Sequence, residues 1–262
     1  MYTFTRIMGA LIVPFALLAQ QAHAQQAAKT QPVIKGVKNI VLVHGAFADG
    51  SSWSRVIPIL TAKGYHVIAV QNPLTSLEED VAATKRALAL MDGPVLLVGH
   101  SYGGMVITQA GNDPKVAGLV YVCSLVPNDG QSANEVAGAF PPGPGFAEFK
   151  QDGYGFLSLS SKGIHEDFAQ DLPASTRNVI YTTQIPWAVK ATTGKVTSAA
   201  WKARPSWFLI GIEDRMVPVA LARAEAKMIH ATTLELHSSH VPMISQPEKT
   251  AAFVISAAQA VK

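Results

Sequence analysis

The sequence predicts an α/β protein: a mostly parallel central sheet flanked by helices, with a helical cap inserted between two late strands. Three observations predict it. Short, nearly continuous apolar runs alternate with helix-spaced stretches along most of the chain, the rhythm of a parallel sheet covered by helices. The runs do not alternate apolar with polar residues, which marks strands buried on both faces. The rhythm breaks once, from Pro127 to about Arg204, where Gly, Pro, Ser and aromatic residues dominate. With 262 residues, 48% of them hydrophobic and 15% charged, one such domain can bury a large core. A net charge of +3 with no basic cluster argues against a nucleic-acid surface.

The elements follow in order. Residues 1–24 read as a secretory signal peptide: Arg6 gives positive charge, 7–18 is apolar apart from Pro14, and Ala22-His23-Ala24 is a small-x-small cleavage site. The apolar stretch is short for a bilayer span, so no stable membrane insertion is expected after cleavage. An exported protein, periplasmic or secreted, is expected, with 20 basic against 18 acidic residues once Arg6 is removed. Residues 25–38 are polar and patternless, a tether ahead of a domain spanning 39–262. Within it, 39–44 is a buried strand ending in His44-Gly45, and 53–63 a helix stopped by Gly64. Residues 66–70 form a strand. Residues 77–91 form a helix with Ser76 as N-cap and Glu78, Glu79 and Asp80 in its first turn, where the dipole favours negative charge. A strand at 95–99, a helix at 105–110 and a strand at 116–123 complete the first half. The lone cysteine, Cys123, sits in that last run, as a buried thiol would. The cap occupies about 127–204, without strand signals and with weak helical patches near 164–171 and 176–183. A strand at 206–210, a helix at 219–229, a strand at 233–237 and a helix from Pro247 to 261 close the chain.

Chemistry concentrates in Val95-Leu96-Leu97-Val98-Gly99-His100-Ser101-Tyr102-Gly103-Gly104-Met105. It is G-x-S-x-G placed directly after a buried strand and before a helix. Such a turn exposes Ser101 Oγ, and only Gly99 and Gly103 fit where the strand and helix crowd together. A serine hydroxyl needs a base, and the base an orienting acid, following here in the order serine, acid, histidine. Asp214 lies just past the strand at 206–210, where such sheets place ligand-contacting groups. Its neighbour Glu213, and Asp129 after the preceding strand, are the alternatives. His240, in the loop before the closing helix, is the candidate base. His237 sits at a strand end, His230 at a helix end, His100 on the turn itself, and His44 where it can bond loop backbone. The amides of Tyr102 and Ala46 are the candidate oxyanion donors, with Phe47 the alternative to Ala46.

VLVHGAF, GHSYGG, GIEDRMVP and SSHVPM together resemble the α/β-hydrolase fold family across 39–262. HGAFADGSSW with VIPILTAKGYHVIAVQNP looks like its branch of small bacterial carboxylesterases, plant methyl-ester hydrolases and hydroxynitrile lyases. The resemblance implies an eight-stranded type of sheet, a helical cap, no metal, no organic cofactor and a small-molecule ester substrate. The chain departs from it in having room for little more than one short strand before Ile40, so the leading antiparallel strands are shortened or missing. It leaves lactone, C–C, perhydrolase and lyase chemistry on the same residues as the alternative; a binding protein that kept the fold is the remote one. Lyases on this scaffold usually carry a lysine near the base, and the nearest to His240 is Lys249. Phe140, Phe146, Tyr154, Phe156, Trp187 and Trp201 either line an apolar pocket or build the cap's own small core.

Overall fold

The computed structural model describes residues 35–261. The expected signal peptide and most of the tether lie outside them. The last tether residues are already anchored: Val37 is buried and donates its N–H to Ala258 O at 2.9 Å.

Six strands form one sheet: β1 (Asn39–Val43), β2 (His66–Ala69), β3 (Val95–His100), β4 (Val116–Val122), β8 (Ser206–Gly211) and β9 (Thr232–Leu236), in the order β2-β1-β3-β4-β8-β9. Every pairing is parallel. The resemblance implied an eight-stranded type with its leading strands shortened or missing; among the described residues the sheet has six strands. β1, β3 and β8 are buried at every position and β4 nearly so, which is why they stand out as apolar runs. Each large aliphatic side chain taken out of water there contributes about 1.5–3 kcal/mol.

Five helices cover the sheet: α1 (Ile57–Ala62), α2 (Leu77–Ala89), α3 (Gly103–Ala110), α4 (Val219–Met228) and α5 (Pro247–Ala260). α2 packs on α3 and α5 on α1, and the two pairs take opposite faces: Gly99 of β3 faces Ile107, whereas Gly118 of β4 faces Val261. α2 begins as expected, with the Ser76 hydroxyl accepting from Glu79 N–H at 3.3 Å.

Between β4 and β8 the chain leaves the sheet. Helix was expected there, with no strands. The structure contains short helices, including Ala174–Thr183, but also a second, antiparallel sheet of β5 (Phe149–Gln151), β6 (Phe156–Leu159) and β7 (Trp187–Ala188). These strands span only two to four residues each, too short to stand out as a run or an alternation in the sequence.

Candidate active site

In the strand order the direction of winding reverses between β1 and β3. A crevice opens beyond the carboxyl ends of strands at such a point, and ligands bind there. The loop after β1 carries Ala46 and Phe47; the turn after β3 carries Ser101 and Tyr102. Backbone strain gathers at the same rim. Phe47, Leu74, Ser101 and Cys123, the non-glycine residues that follow β1, β2, β3 and β4, have φ of 60°, 57°, 54° and 46°. Left-handed backbone at such side chains costs about 1–3 kcal/mol each and persists where the surroundings over-determine it, commonly at functional sites.

Ser101 is over-determined. Its N–H donates to Val122 O at 3.1 Å, and its carbonyl accepts from Gly104 N–H at 2.9 Å and Leu125 N–H at 3.3 Å. A Cβ on Gly99 would stand 2.6 Å from Gly103 O, and one on Gly103 would stand 2.8 Å from Val43 O. A Cβ on Gly45 would meet that of Ser101 at 2.6 Å, so the β1 loop approaches the turn only because that residue is glycine.

Opposite stand two loops in close contact. Asp214 follows β8; its Oδ1 accepts from Met216 N–H at 2.8 Å and Val217 N–H at 3.0 Å. Its Oδ2 accepts from His240 Nδ1 at 2.7 Å, and both side chains are almost wholly buried. That bond places the proton on Nδ1 and leaves Nε2 with a free lone pair. His240 and Ser101 line one cavity of about 550 Å³. Among the described residues no hydrogen bond joins them, and in unliganded sites such bonds are often long. The amides of Ala46, Phe47 and Tyr102, which line the same cavity, meet no protein acceptor among the described residues.

The alternatives stand elsewhere. Glu213 is exposed and pairs with His237 at 3.2 Å. Asp129 bonds Ala199 N–H and Lys202 on the surface. His230 ends α4 with φ of 50°. His44 accepts from Asn72 N–H on Nε2 at 2.9 Å and donates from Nδ1 to Gly45 O at 2.8 Å, and burial lowers its pKa, so it holds loop backbone as a neutral ring. His100 has a role that sequence reasoning missed. Its Nε2 donates to the backbone carbonyl of His240 at 2.8 Å, and burial, helped by the nearby His240, drives its pKa well below the ordinary range. A neutral ring thus ties the strand end to the loop of His240. Cys123 is buried beside Asp214; burial, and then the Asp214 charge, push its thiol well up.

The cavity's remaining wall is apolar. Phe140, Phe146 and Trp187 of the six singled-out aromatics line it, joined by Phe47, Phe149 and Phe168. Tyr154 is exposed and Trp201 bonds Pro127 O at the cap's base. No lysine, arginine, aspartate or glutamate appears among its described lining residues, whose polar members include Asn134, Gln151 and Thr192.

A model of the alpha/beta hydrolase family matches residues 40–253. A pyrethroid hydrolase of Sphingobium wenxiniae is 25% identical over 252 residues, covering 86% of this chain and 89% of that one. A carbendazim-hydrolysing esterase of a Nocardioides species is 32% identical over 159 residues, 54% of this chain and 63% of that one. A crystal structure of a pyrethroid hydrolase superposes with a TM-score of 0.75 at 24% identity, over 86% of this chain and 98% of that one. The chain therefore belongs to the alpha/beta hydrolase family, as an enzyme of its carboxylesterase type.

Proposed function

We propose that the enzyme hydrolyses a neutral, hydrophobic carboxylic ester through an acyl-enzyme on Ser101. His240 Nε2 takes the hydroxyl proton as Oγ attacks the ester carbonyl, and Asp214 stabilises the imidazolium that forms. The carbonyl oxygen becomes an oxyanion facing the Ala46 and Tyr102 amides, each such donor being worth about 3–4 kcal/mol. Collapse of the intermediate expels the alcohol, which takes the proton from His240. Water, deprotonated by His240, then attacks the acyl-enzyme and releases the acid, returning the proton to Ser101. The observation that carries this reading is the 2.7 Å bond from His240 Nδ1 to Asp214, with Ser101 and His240 on one cavity. The apolar lining supports a hydrophobic substrate. Arg6, the apolar stretch 7–18 and Ala22-His23-Ala24 support export to the periplasm or medium.

The experiment takes protein from the exported fraction, whose first residue should be Gln25. It is mixed with nitrophenyl esters of increasing chain length and with a fluorophosphonate probe, beside Ser101→Ala. Wild type should turn over butyrate and longer esters and be labelled at Ser101, and the variant should do neither. A folded wild type that is not labelled at Ser101 sinks the mechanism, and strong preference for acetate sinks the hydrophobic substrate.

A further inference from the structure

Asp80 breaks the pattern of its helix. It sits in the first turn of α2 beside Glu78 and Glu79, yet it is fully buried, on the inward face with Leu77, Thr84 and Leu88. A buried carboxylate is costly unless its oxygens are bonded, and here both are. Oδ1 accepts from Leu74 N–H at 2.8 Å and Oδ2 accepts from the Tyr102 hydroxyl at 2.8 Å. Leu74 is the left-handed residue after β2, and its carbonyl accepts from Ala188 N–H at 2.9 Å. Ala188 belongs to β7 of the inserted sheet. The residue before it, Trp187, lays its ring 4.9 Å from that of Tyr102 and 6.1 Å from that of Phe47. The contacts close a circuit: α2 to Tyr102, Tyr102 to Trp187, β7 to Leu74, and Leu74 back to α2.

We propose that Asp80 is a positioning residue of the hydrolytic centre, holding Tyr102, and with it the amide beside Ser101, in fixed relation to the inserted strand β7. The proposal rests on the roles of Ser101 and Tyr102 given above. The Tyr102 amide has no acceptor among the described residues, so its aim is set by the two ends of its peptide: the Ser101 carbonyl, held by Gly104 and Leu125, and Tyr102 itself, held by its side chain. Asp80 is the hydrogen-bond partner of the hydroxyl. Burial, and then the Asp80 charge, raise the pKa of that hydroxyl, which keeps it a donor. Burial also lifts Asp80 to about 6, so near neutrality the carboxylate is the acceptor. An asparagine would offer one acceptor oxygen and turn an NH2 toward one of the two donors. Phenylalanine at 102 would keep the ring against Trp187 and lose only the bond.

The test compares wild type with Asp80→Asn, Tyr102→Phe and the double variant, reading kcat and KM on nitrophenyl butyrate and the rate of fluorophosphonate labelling. Each single variant should lower kcat and labelling by about tenfold or more, with KM within about twofold. The double variant should be no worse than the poorer single, because the two residues act as one unit. Melting curves confirm that each variant is folded, and Tyr102→Phe decides alone if Asp80→Asn does not fold. Single variants with unchanged kcat, or losses that multiply in the double, overturn the proposal. An inactive, unlabelled wild type overturns this proposal together with the mechanism it rests on, whereas an active wild type with indifferent variants overturns this proposal alone.

Discussion

The turn carrying Ser101 and the inserted segment around Phe168 border the same cavity, but they are held by different means. The turn is clamped by backbone: hydrogen bonds to Val122, Gly104 and Leu125, and glycines where a single carbon would collide. The inserted segment is held by side chains. Asp167 pairs with Arg215 at 2.6 Å, Gln170 Nε2 donates to Glu213 O at 2.7 Å, and Asp171 accepts from Ser239 N–H at 2.9 Å. Phe168 meets the His240 ring edge-on at 5.2 Å. Farther out, helix Ala174–Thr183 buries no residue. Backbone clamps specify one geometry and tolerate little change. Side-chain tethers can be exchanged singly, at a cost set by how deeply the partner left behind is buried. The proposed nucleophile therefore sits on the rigid rim, and much of the apolar wall facing it sits on the exchangeable one.

Three variants break or sharpen that contrast. The largest effect is expected for Gly103→Val, which forces carbon against the carbonyls of Val43 and His44. It should destabilise the fold by about 1–3 kcal/mol and, by displacing Ser101, cut kcat/KM by about a hundredfold or more. A variant that kept wild-type turnover would show that the turn is not rigidly specified.

The next variant probes the border, where Glu225 of α4 accepts from Val126 N–H at 2.7 Å just as the chain departs from the sheet. Its other oxygen is buried with no partner among the described residues, and burial pushes its pKa well above the carboxylate range. The folded protein thus keeps a proton that the unfolded chain loses near its ordinary pKa. Stability from this group is full below that value and declines as pH rises toward the folded one. Glu225→Gln should remove this decline, so its melting temperature should gain on wild type as pH is raised from about 4 to about 8. Parallel melting profiles would mean that Glu225 is ionised in the fold.

Arg215→Ala should do least to turnover. The arginine side chain is 48% exposed but its partner Asp167 only 4%, so its loss leaves a buried carboxylate short of a donor and should cost about 1–3 kcal/mol of stability. kcat on nitrophenyl butyrate should hold, and KM should move by no more than about fivefold. A large fall in kcat would place this tether among the rigid parts.

The same contrast governs what could be read from sequence. All six strands of the main sheet came within one residue or so of their expected bounds: the inner four because strands buried on both faces have no choice but continuous apolar residues, and β2 and β9 because they fall in the same rhythm between helices. The inserted sheet was illegible because its strands, two to four residues long, are too short to leave a periodic mark. At the site, Ser101, Asp214 and His240 could be named because each ends or follows a recognisable strand, and the structure brings them to one place. Asp80 was read as one of three acids favouring a helix start. The signal that distinguishes it is its spacing from Leu77, Thr84 and Leu88, which puts a carboxylate on the helix's apolar face. His100 and Asp171 left no such mark, because each acts on the backbone of a loop remote in sequence.

The cavity's lack of cationic side chains bears on how a catalytic cycle ends. In the proposed reaction an ester enters without charge, but its hydrolysis at neutral pH creates a carboxylate inside a largely apolar wall. A charge there has lost its hydration and meets no lysine or arginine among the described lining residues, so it is held far less well than the ester it came from. The proposed reaction thereby turns a neutral ligand into a charged one that finds amide donors but no cation beside it among the described residues, and water outside is the better solvent for it.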